Sequence, residues 1–281
     1  MRASTVTAVR PQSAFHDLFA TSCLRHWSGF FHRRRQIAIE NILRAGVASD
    51  RRTAARIARR SFGHFAGHIC EALFVPRVVN ADNWREHLDM TTEADATTVR
   101  LLLETPDTPI LLASSHHGVW EAATNILSFA RPMIAIARLP NNGLVTRWMK
   151  NHHFRGPVTI VNKNQGMSPD ILRKWREDCA AMTILMDQYT HGGLLLKFFG
   201  RPARTFTSVS RLAMRTGFPI VVGSFVRLSP YRYRLVGGSP IRVERGADLA
   251  QVTQLLNDRL EEAIRRYPEQ YLWVHRRWRD D

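Results

Sequence analysis

Long apolar runs are absent from this sequence of 281 residues. No stretch approaches the roughly 18 consecutive apolar residues that a membrane-spanning helix requires. The first residues also lack a charged start followed by an apolar segment and a small-residue cleavage site. We therefore expect a chain that neither spans a membrane nor is exported.

Cysteine is scarce, and its spacing carries no motif. The three cysteines, Cys23, Cys70 and Cys179, are far apart, and no C-x-x-C occurs. An odd number at this spacing argues against a disulfide framework and against a structural zinc site. The pattern favours a reducing, cytosolic setting.

Acidic residues are also few. Lys and Arg number 40 against 24 Asp and Glu, which gives a formal charge of +16 and an isoelectric point near 11.1. Such a surface attracts a polyanionic partner, which is a nucleic acid, an anionic membrane or an acidic carrier protein. Charge alone does not choose among the three.

The N-terminal segment, residues 1–32, is rich in aromatic side chains. Phe15, Phe19, Trp27, Phe30 and Phe31 are followed at once by three arginines at 33–35. Aromatic residues beside a basic cluster are typical of a helix that lies in a membrane interface. The alternative is an amphipathic helix packed on the core.

Residues 33–90 carry a helical pattern. Apolar residues from Ile39 to Val47 recur at helical spacing, Ser49-Asp50 makes a cap, and a second stripe follows with Phe62, Phe65, Ile69 and Leu73. We predict a helical hairpin that covers the rest of the protein. His64, His68 and Glu71 fall on the opposite face at metal-ligand spacing, although a solvated or groove-lining face is the commoner outcome for such a trio.

Residues 91–281 alternate short apolar runs with helical stretches. The runs are 110–113, 133–137, 158–161, 183–186 and 219–226, and 231–236 alternates as an edge strand would. This texture predicts an α/β fold: a mostly parallel central sheet flanked by helices, preceded by the N-terminal helical segment. A last amphipathic helix contains Val252 to Ile264.

Chemistry in such sheets lies beyond the carboxyl ends of the strands. No G-x-G-x-x-G or Walker A sequence follows any of the runs, so dinucleotide and nucleoside triphosphate sites are not expected. The first run is instead followed by His116 and, at the start of the next helix, by Glu121. A carboxylate there can fix the tautomer of the imidazole, which then serves as a general base toward a hydroxyl.

Two neighbours of His116 complete this hypothesis. His117 is a rival base, because it stands four residues before Glu121 on the same helix face. Gly118 would let the backbone approach a reacting carbonyl, with N–H groups at the helix start as an oxyanion site. The residue pattern alone does not separate His116 from His117.

The run from His116 to Glu121 resembles the H-x-G-N-W-E/D form of the H-x-x-x-x-D/E motif of lipid A biosynthesis lauroyl/myristoyl acyltransferases and related mycobacterial mannoside acyltransferases. Further similar stretches follow in the family's order, at Arg138 to Asn142, Arg155-Gly156, Met186-Asp187-Gln188, Lys197 to Ala203 and Tyr267 to Trp278. The similarity covers Arg33 to Trp278. Val119 stands where many relatives have Asn, and the usual N-terminal transmembrane anchor is missing.

The resemblance implies one acyltransferase domain over 33–281, made of the helical cover and the α/β core. In that register His116 is the catalytic base and Glu121 its catalytic partner. The implied reaction moves a fatty acyl chain from acyl-carrier protein, or from acyl-CoA, to a hydroxyl of a lipid A precursor or related envelope glycolipid. No cofactor and no metal are expected. The missing anchor implies peripheral binding to the anionic cytoplasmic face of the bacterial inner membrane.

Eight further positions are candidates for substrate binding. Arg138 could hold a lipid phosphate or pair with a carboxylate, Asp187 could position substrate or serve the structure, and Phe198 and Phe199 could line an acyl chain or belong to core and turn. The eight positions are His117, Gly118, Trp120, Arg138, Arg155, Asp187, Phe198 and Phe199. The segment His275 to Trp278 should close the C-terminus over the sheet.

Two other functions fit parts of the sequence. An acyltransferase of the same class could act on a lysophospholipid or a phosphatidylinositol mannoside. A basic nucleic-acid-binding protein would suit the charge, but the sequence lacks a recognisable binding motif and that function leaves the His–Glu pattern unexplained. We therefore expect no nucleic-acid partner.

Overall fold

The computed structural model of the protein describes residues 28–89, 96–137, 143, 147, 156–163 and 167–279, with only the backbone of 28–31. The aromatic residues from Phe15 to Trp27 therefore lie outside the described residues, as do Cys23, Arg138 and Arg155. The other candidate site residues lie within them.

Two antiparallel helices form the N-terminal hairpin. Helix α1 spans Ser28–Arg44 and α2 spans Arg51–Val78. Asp50 caps α2, because its carboxylate accepts a hydrogen bond from the backbone N–H of Thr53 at 2.9 Å. The predicted hairpin and its cap are confirmed.

The buried face of α2 is not the predicted one. Ile69 and Leu73 are 42% and 45% exposed, whereas His68 and Glu71 are buried. The polar face turns inward because it has partners there: Glu71 accepts hydrogen bonds from the guanidinium of Arg227 and the hydroxyl of Tyr233. The prediction that the apolar stripe packs on the core is therefore wrong for the second half of α2.

The central sheet has seven strands in the order β1-β9-β8-β2-β5-β3-β4, and a separate hairpin is formed by β6 and β7. All neighbours in the large sheet are parallel except β8 and β9. The strands are β1 (Leu88–Asp89), β2 (Ile110–Ser114), β3 (Met133–Ala137), β4 (Val158–Asn162), β5 (Ala181–Leu185), β6 (Leu194–Phe198), β7 (Arg201–Thr205), β8 (Ile220–Ser229) and β9 (Arg232–Gly237). The predicted mostly parallel α/β fold is confirmed.

Strand β9 is not the edge strand that its alternating pattern predicted. The two-residue strand β1 pairs with it, at Leu88 with Tyr233 and Asp89 with Arg234. Arg234 also donates a hydrogen bond to the Asp89 carboxylate at 2.7 Å. The true edge is therefore very short, which limits pairing with other chains.

Helices cover both faces of the sheet. The remaining ones are α3 (Ala96–Leu103), α4 (Trp120–Leu127), α5 (Pro169–Glu177), α6 (Ser208–Thr216) and α7 (Leu249–Arg266). One core cluster joins the sheet to α1, the first half of α2, α6 and α7, and a second joins the opposite face to α3, α4 and the end of α2. Because α2 contributes to both, it passes from one face of the sheet to the other.

The C-terminal segment closes over the sheet, as the sequence suggested. The indole N–H of Trp278 donates to the carbonyl of Phe198 at 3.1 Å, and the guanidinium of Arg277 donates to Thr205 Oγ1 at 2.7 Å. Both acceptors belong to the β6–β7 hairpin, for which the sequence left open an acyl-chain wall or core and turn. Its two-residue turn is formed by Phe199 and Gly200, both with positive φ, as tight hairpins require.

None of the helices in the described part of the chain is long and apolar enough to cross a membrane.

Candidate active site

The loop after β2 is held between the C-terminal segment and strand β8. The carbonyl of His116 accepts a hydrogen bond from the N–H of Leu272 at 2.9 Å, the N–H of Gly118 donates to Gln270 at 3.0 Å, and that of Val119 donates to Phe225 at 2.8 Å. These bonds fix the backbone from which His116 projects. They also occupy the N–H groups of Gly118 and Val119, which immediately precede the helix start.

Gly118 is required by packing against β8. Its φ of +69° is a conformation that L side chains rarely adopt, and a Cβ at this position would overlap the backbone carbonyl of Phe225. We predicted that the backbone at Gly118 approaches a reacting carbonyl. In the structure it approaches the backbone of strand β8.

His116 is paired with Asp187. Its Nδ1 lies 2.9 Å from Oδ1 of Asp187, and the two side chains are 20% and 2% exposed. His116 follows β2 and Asp187 follows the adjacent parallel strand β5, with Ser114 opposite Leu185. The carboxyl ends of neighbouring parallel strands therefore bring the two residues together.

The pKa of Asp187 is lowered in spite of its burial. Burial raises the pKa of its carboxyl, but the charge and hydrogen bonds of His116 outweigh burial, so the pKa lies below the usual value. The buried hydroxyl of Tyr271 also donates to this carboxylate, and burial followed by the charge of Asp187 raises the pKa of Tyr271 well above its usual value. An ionised Asp187 accepts hydrogen bonds only, so Nδ1 of His116 carries the proton.

The other nitrogen of His116 points toward Gln188. Its Nε2 lies 3.3 Å from the side-chain nitrogen of Gln188. In a neutral imidazole with a proton on Nδ1, Nε2 holds a lone pair and accepts a hydrogen bond from that amide. In this tautomer His116 would have the lone pair that a general base toward a hydroxyl requires.

His117 faces the interior. Its side chain is fully buried, and its Nε2 lies 3.0 Å from the carbonyl oxygen of Tyr267. Burial lowers the pKa of His117 to about 4. The structure thus separates the two histidines that the sequence did not: His116 is partly open, and His117 is closed off from any substrate.

Trp120 forms one wall beside His116. Its ring stands edge-on to the imidazole of His116 with centroids 5.1 Å apart, and it stacks on Phe65 of α2 at 6.3 Å. His68, also on α2, lies 4.0 Å from the Trp120 ring. Helix α2 therefore crosses the carboxyl end of β2 at the site itself.

Glu121 occupies the first turn of α4, as predicted. Its side chain is 34% exposed, and Oε2 lies 4.0 Å from Nε2 of His68. The carboxylate bonded to His116 is that of Asp187, so the two acids have different surroundings. Asp187 is buried behind the imidazole, and Glu121 is open at the helix start.

The remaining candidates divide between the core and the undescribed residues. Phe198 and Phe199 are buried, with their rings packed against Trp278 and Trp273 at 6.2 and 5.8 Å respectively. These contacts make the two phenylalanines part of the core. Arg138 and Arg155 lie outside the described residues.

Three side chains at the site were absent from the predicted set: Gln188, Tyr271 and His275. Nε2 of His275 accepts a hydrogen bond from the N–H of Tyr189 at 3.0 Å, and burial lowers the pKa of His275 to about 4. Gln188 could have been found, because it stands beside Asp187 at a strand end. Tyr271 and His275 lie in the stretch Tyr267 to Trp278 that resembles the family, but the sequence did not place that stretch at the site, since only the fold brings it to the end of β5.

A cavity of about 700 Å³ lies against the carboxyl ends of β3 and β4. Its apolar lining includes Ile136, Val161 and Met214, and its basic lining comprises Lys163, Arg211, Arg215 and Arg245. His116 does not line it. Strand β5 alone separates β2 from β3, so the cavity lies about two strand spacings, roughly 10 Å, from the His116 strand.

No group of three or more His, Cys, Asp or Glu side chains that could hold a metal ion occurs in the part of the chain that the structure describes. His64, His68 and Glu71 accordingly form no such group. Neither Cys70 nor Cys179 forms a disulfide within the described residues.

Comparison with known proteins agrees with the geometry of this site. No curated protein sequence matches the chain. A family model, described as bacterial lipid A biosynthesis acyltransferase, matches residues 3–280. That match covers almost the whole chain, including the sheet and the His116 loop. The chain therefore belongs to the bacterial lipid A biosynthesis acyltransferase family and is an acyltransferase of that pathway.

Proposed function

We propose that the protein transfers a fatty acyl chain from acyl-carrier protein to a hydroxyl group of a lipid A precursor or a related envelope glycolipid, with His116 as the general base. The observation that carries the proposal is the His116–Asp187 pair, in which the buried carboxylate holds Nδ1 of a partly exposed imidazole, while Nε2 lies 3.3 Å from the side-chain nitrogen of Gln188. A base of this kind typically contributes about 10²–10⁴ to the rate.

The reaction is a direct displacement. Nε2 of His116 takes the proton of the acceptor hydroxyl while its oxygen forms a bond to the thioester carbonyl carbon. The carbon–sulfur bond then breaks, and the thiolate leaves with the proton from His116. The thioester supplies the activation, so the chain needs no nucleophile of its own and no cofactor.

The two carboxylates have separate roles in this mechanism. Asp187 fixes the tautomer of His116 and stabilises the imidazolium that forms when the hydroxyl loses its proton. Glu121, partly exposed at the start of α4, adds negative charge on the substrate side and accepts a hydrogen bond from the acceptor. His117 and Gly118 position the loop, and Trp120 forms the wall against which the acceptor packs.

The donor and the membrane are proposed from charge. A formal charge of +16 suits both an acidic carrier protein and an anionic lipid surface. The cavity at the ends of β3 and β4 has an apolar lining and four basic side chains. It could take the part of the donor's acyl tail that is nearest the thioester. About ten buried methylenes at roughly 0.8 kcal/mol each would give a gross gain of about 8 kcal/mol, so the tail dominates donor recognition.

The decisive experiment compares His116→Ala with a matched surface variant, His191→Ala, whose side chain is exposed. Both are assayed with lauroyl-loaded carrier protein and a lipid A precursor, after circular dichroism has established folding. We expect His116→Ala to lose at least about 100-fold in turnover and His191→Ala to match the wild type. Full activity in a folded His116→Ala protein would refute the proposal.

A second assay addresses the direct displacement. The wild-type protein is incubated with labelled donor in the absence of acceptor and then denatured. We expect no label on the protein. Stoichiometric label would point to an acyl-enzyme and to Ser114, Ser115 or a cysteine as the nucleophile.

A further inference from the structure

Three large apolar side chains on the second half of α2 face solvent. Ile69, Leu73 and Phe74 are 42%, 45% and 40% exposed, and they fall within six residues of one helix. We refer to them as the α2 apolar face. Single exposed apolar residues are ordinary on protein surfaces, whereas several side by side mark an interaction site.

This face is exposed because the other side of α2 is already committed to the protein. Val75 is buried in the core, and Glu71 bonds to Arg227 at 2.6 Å and to Tyr233 at 2.9 Å. Rotating the helix to bury Leu73 would withdraw a buried carboxylate from both of its partners, which is costly. Helix α2 therefore cannot rotate to bury these three side chains in the core.

One exposed cation lies beside the α2 apolar face. The guanidinium carbon of Arg77 lies 5.7 Å from the ring centre of Phe74. Glu71 is the one acid on the helix, and it is buried. The other arginines of α2 are also exposed, in the first half of the helix: Arg51, Arg52, Arg56, Arg59 and Arg60. A helix with an apolar face, exposed cations and no exposed acid matches the interface of an anionic bilayer.

The α2 apolar face leads directly to the active site. Phe65 lies one turn before Ile69 and stacks on Trp120, whose ring stands 5.1 Å from that of His116. A bilayer against this face would present the hydroxyl of a lipid beside the base. A lipid-borne acceptor would then reach His116 without leaving the interface.

We propose that the α2 apolar face is the surface by which this protein docks on an anionic membrane, with Ile69, Leu73 and Phe74 among the acyl chains and Arg77 at the headgroups. Its role in presenting the acceptor rests on the proposed function, but docking itself does not. The competing occupant is the chain before Ser28.

Vesicle flotation of the full chain tests the proposal without any substrate. The probes are vesicles of phosphatidylcholine alone and of phosphatidylcholine mixed equally with phosphatidylglycerol. The test variant is Ile69→Asp/Leu73→Asp, which places two like charges on the face. The matched controls are Leu195→Asp on β6 and Leu255→Asp on α7, where the leucines are 62% and 39% exposed.

We expect the wild type and both controls to float with the anionic vesicles, and the double variant to bind them at least about tenfold more weakly. Equal flotation of the double variant would overturn the proposal. If the double variant floats like the wild type but has a lower melting temperature, the proposal is also overturned, because the N-terminal segment then covers the face.

A transfer assay separates this inference from the proposed function. With a detergent-dispersed acceptor, the double variant should keep wild-type turnover, and with a vesicle-borne acceptor it should lose about as much as it loses in binding. If neither the wild type nor any variant transfers acyl groups, the proposed function fails. The flotation result still decides whether the α2 apolar face docks on the membrane.

Discussion

Nδ1 of His116 lies 2.9 Å from Oδ1 of Asp187, although 71 positions separate the two residues in the chain. The nearby carboxylate in sequence, Glu121, is 34% exposed on the first turn of α4. The fold therefore pairs His116 with a buried acid that is distant in sequence, while the acid that is near in sequence is partly exposed at the helix start. This arrangement makes separate predictions for each carboxylate.

Replacing Asp187 with Asn should lower turnover by about 10²–10⁴ in a protein that still folds. The neutral amide cannot stabilise the imidazolium, and its N–H group favours the wrong tautomer of His116. Turnover is measured beside Asp170→Asn, which alters an exposed acid paired with Arg173 at 2.8 Å and should leave turnover unchanged. If Glu121→Gln is inactive while Asp187→Asn keeps wild-type turnover, the orienting acid is Glu121.

Gly118→Ala should destabilise the protein and abolish transfer. A methyl group there meets the backbone of Phe225, which cannot move aside as a side chain could, and the residue has a φ of +69°. We expect a loss of about 2–5 kcal/mol in the free energy of unfolding. Gly46→Ala is the matched control, because Gly46 has a φ of +62° but open space around it. A loss equal to that of Gly46→Ala, about 1–2 kcal/mol, would mean that backbone conformation alone matters.

Stability should fall as the pH drops from about 6.5 to about 4. Burial lowers the pKa of His117 to about 4, and burial is also the main cause of the pKa of about 4 of His275. The unfolded chain binds these protons at its ordinary pKa near 6.5, so the unfolded state is favoured as pH falls through this window.

Urea unfolding at pH 7 and at pH 4.5 measures the effect. His117→Gln keeps a donor toward Tyr267 but no longer titrates, so it should reduce the pH dependence by up to roughly 3 kcal/mol. His191→Gln, at an exposed position, should leave it unchanged. An identical pH dependence in His117→Gln and wild type would contradict the assignment of a neutral, buried imidazole.

Glu71→Ala should cost about 3–5 kcal/mol, because it leaves the charge of Arg227 and the hydroxyl of Tyr233 without their shared acceptor. The control is Asp170→Ala, which removes an exposed ion pair of similar length and should give no measurable change. Chemical denaturation of both variants provides the comparison. Equal stabilities would show that burial adds nothing to the Glu71 interactions.

The sequence by itself determined the class of fold and the strand end that bears the site. The spacing of apolar residues distinguishes strands, with a period of 2, from helices, with a period of 3.6. The five apolar runs are accordingly strands in the structure, and the predicted cap at Asp50 is present. His116 could be placed after the first strand because a strand end is a local feature. The family motifs around it are local in the same sense.

Only the tertiary structure decided which partners these residues have. The residue pattern, without the family resemblance, did not distinguish His116 from His117, and the fold buries His117 against Tyr267 while His116 stays partly open. The pairing of β2 with β5 brings Asp187 to His116, and the partners on β8 and β9 turn Glu71 inward and Ile69 outward. Such choices depend on contacts between distant segments, whose energies no local spacing encodes.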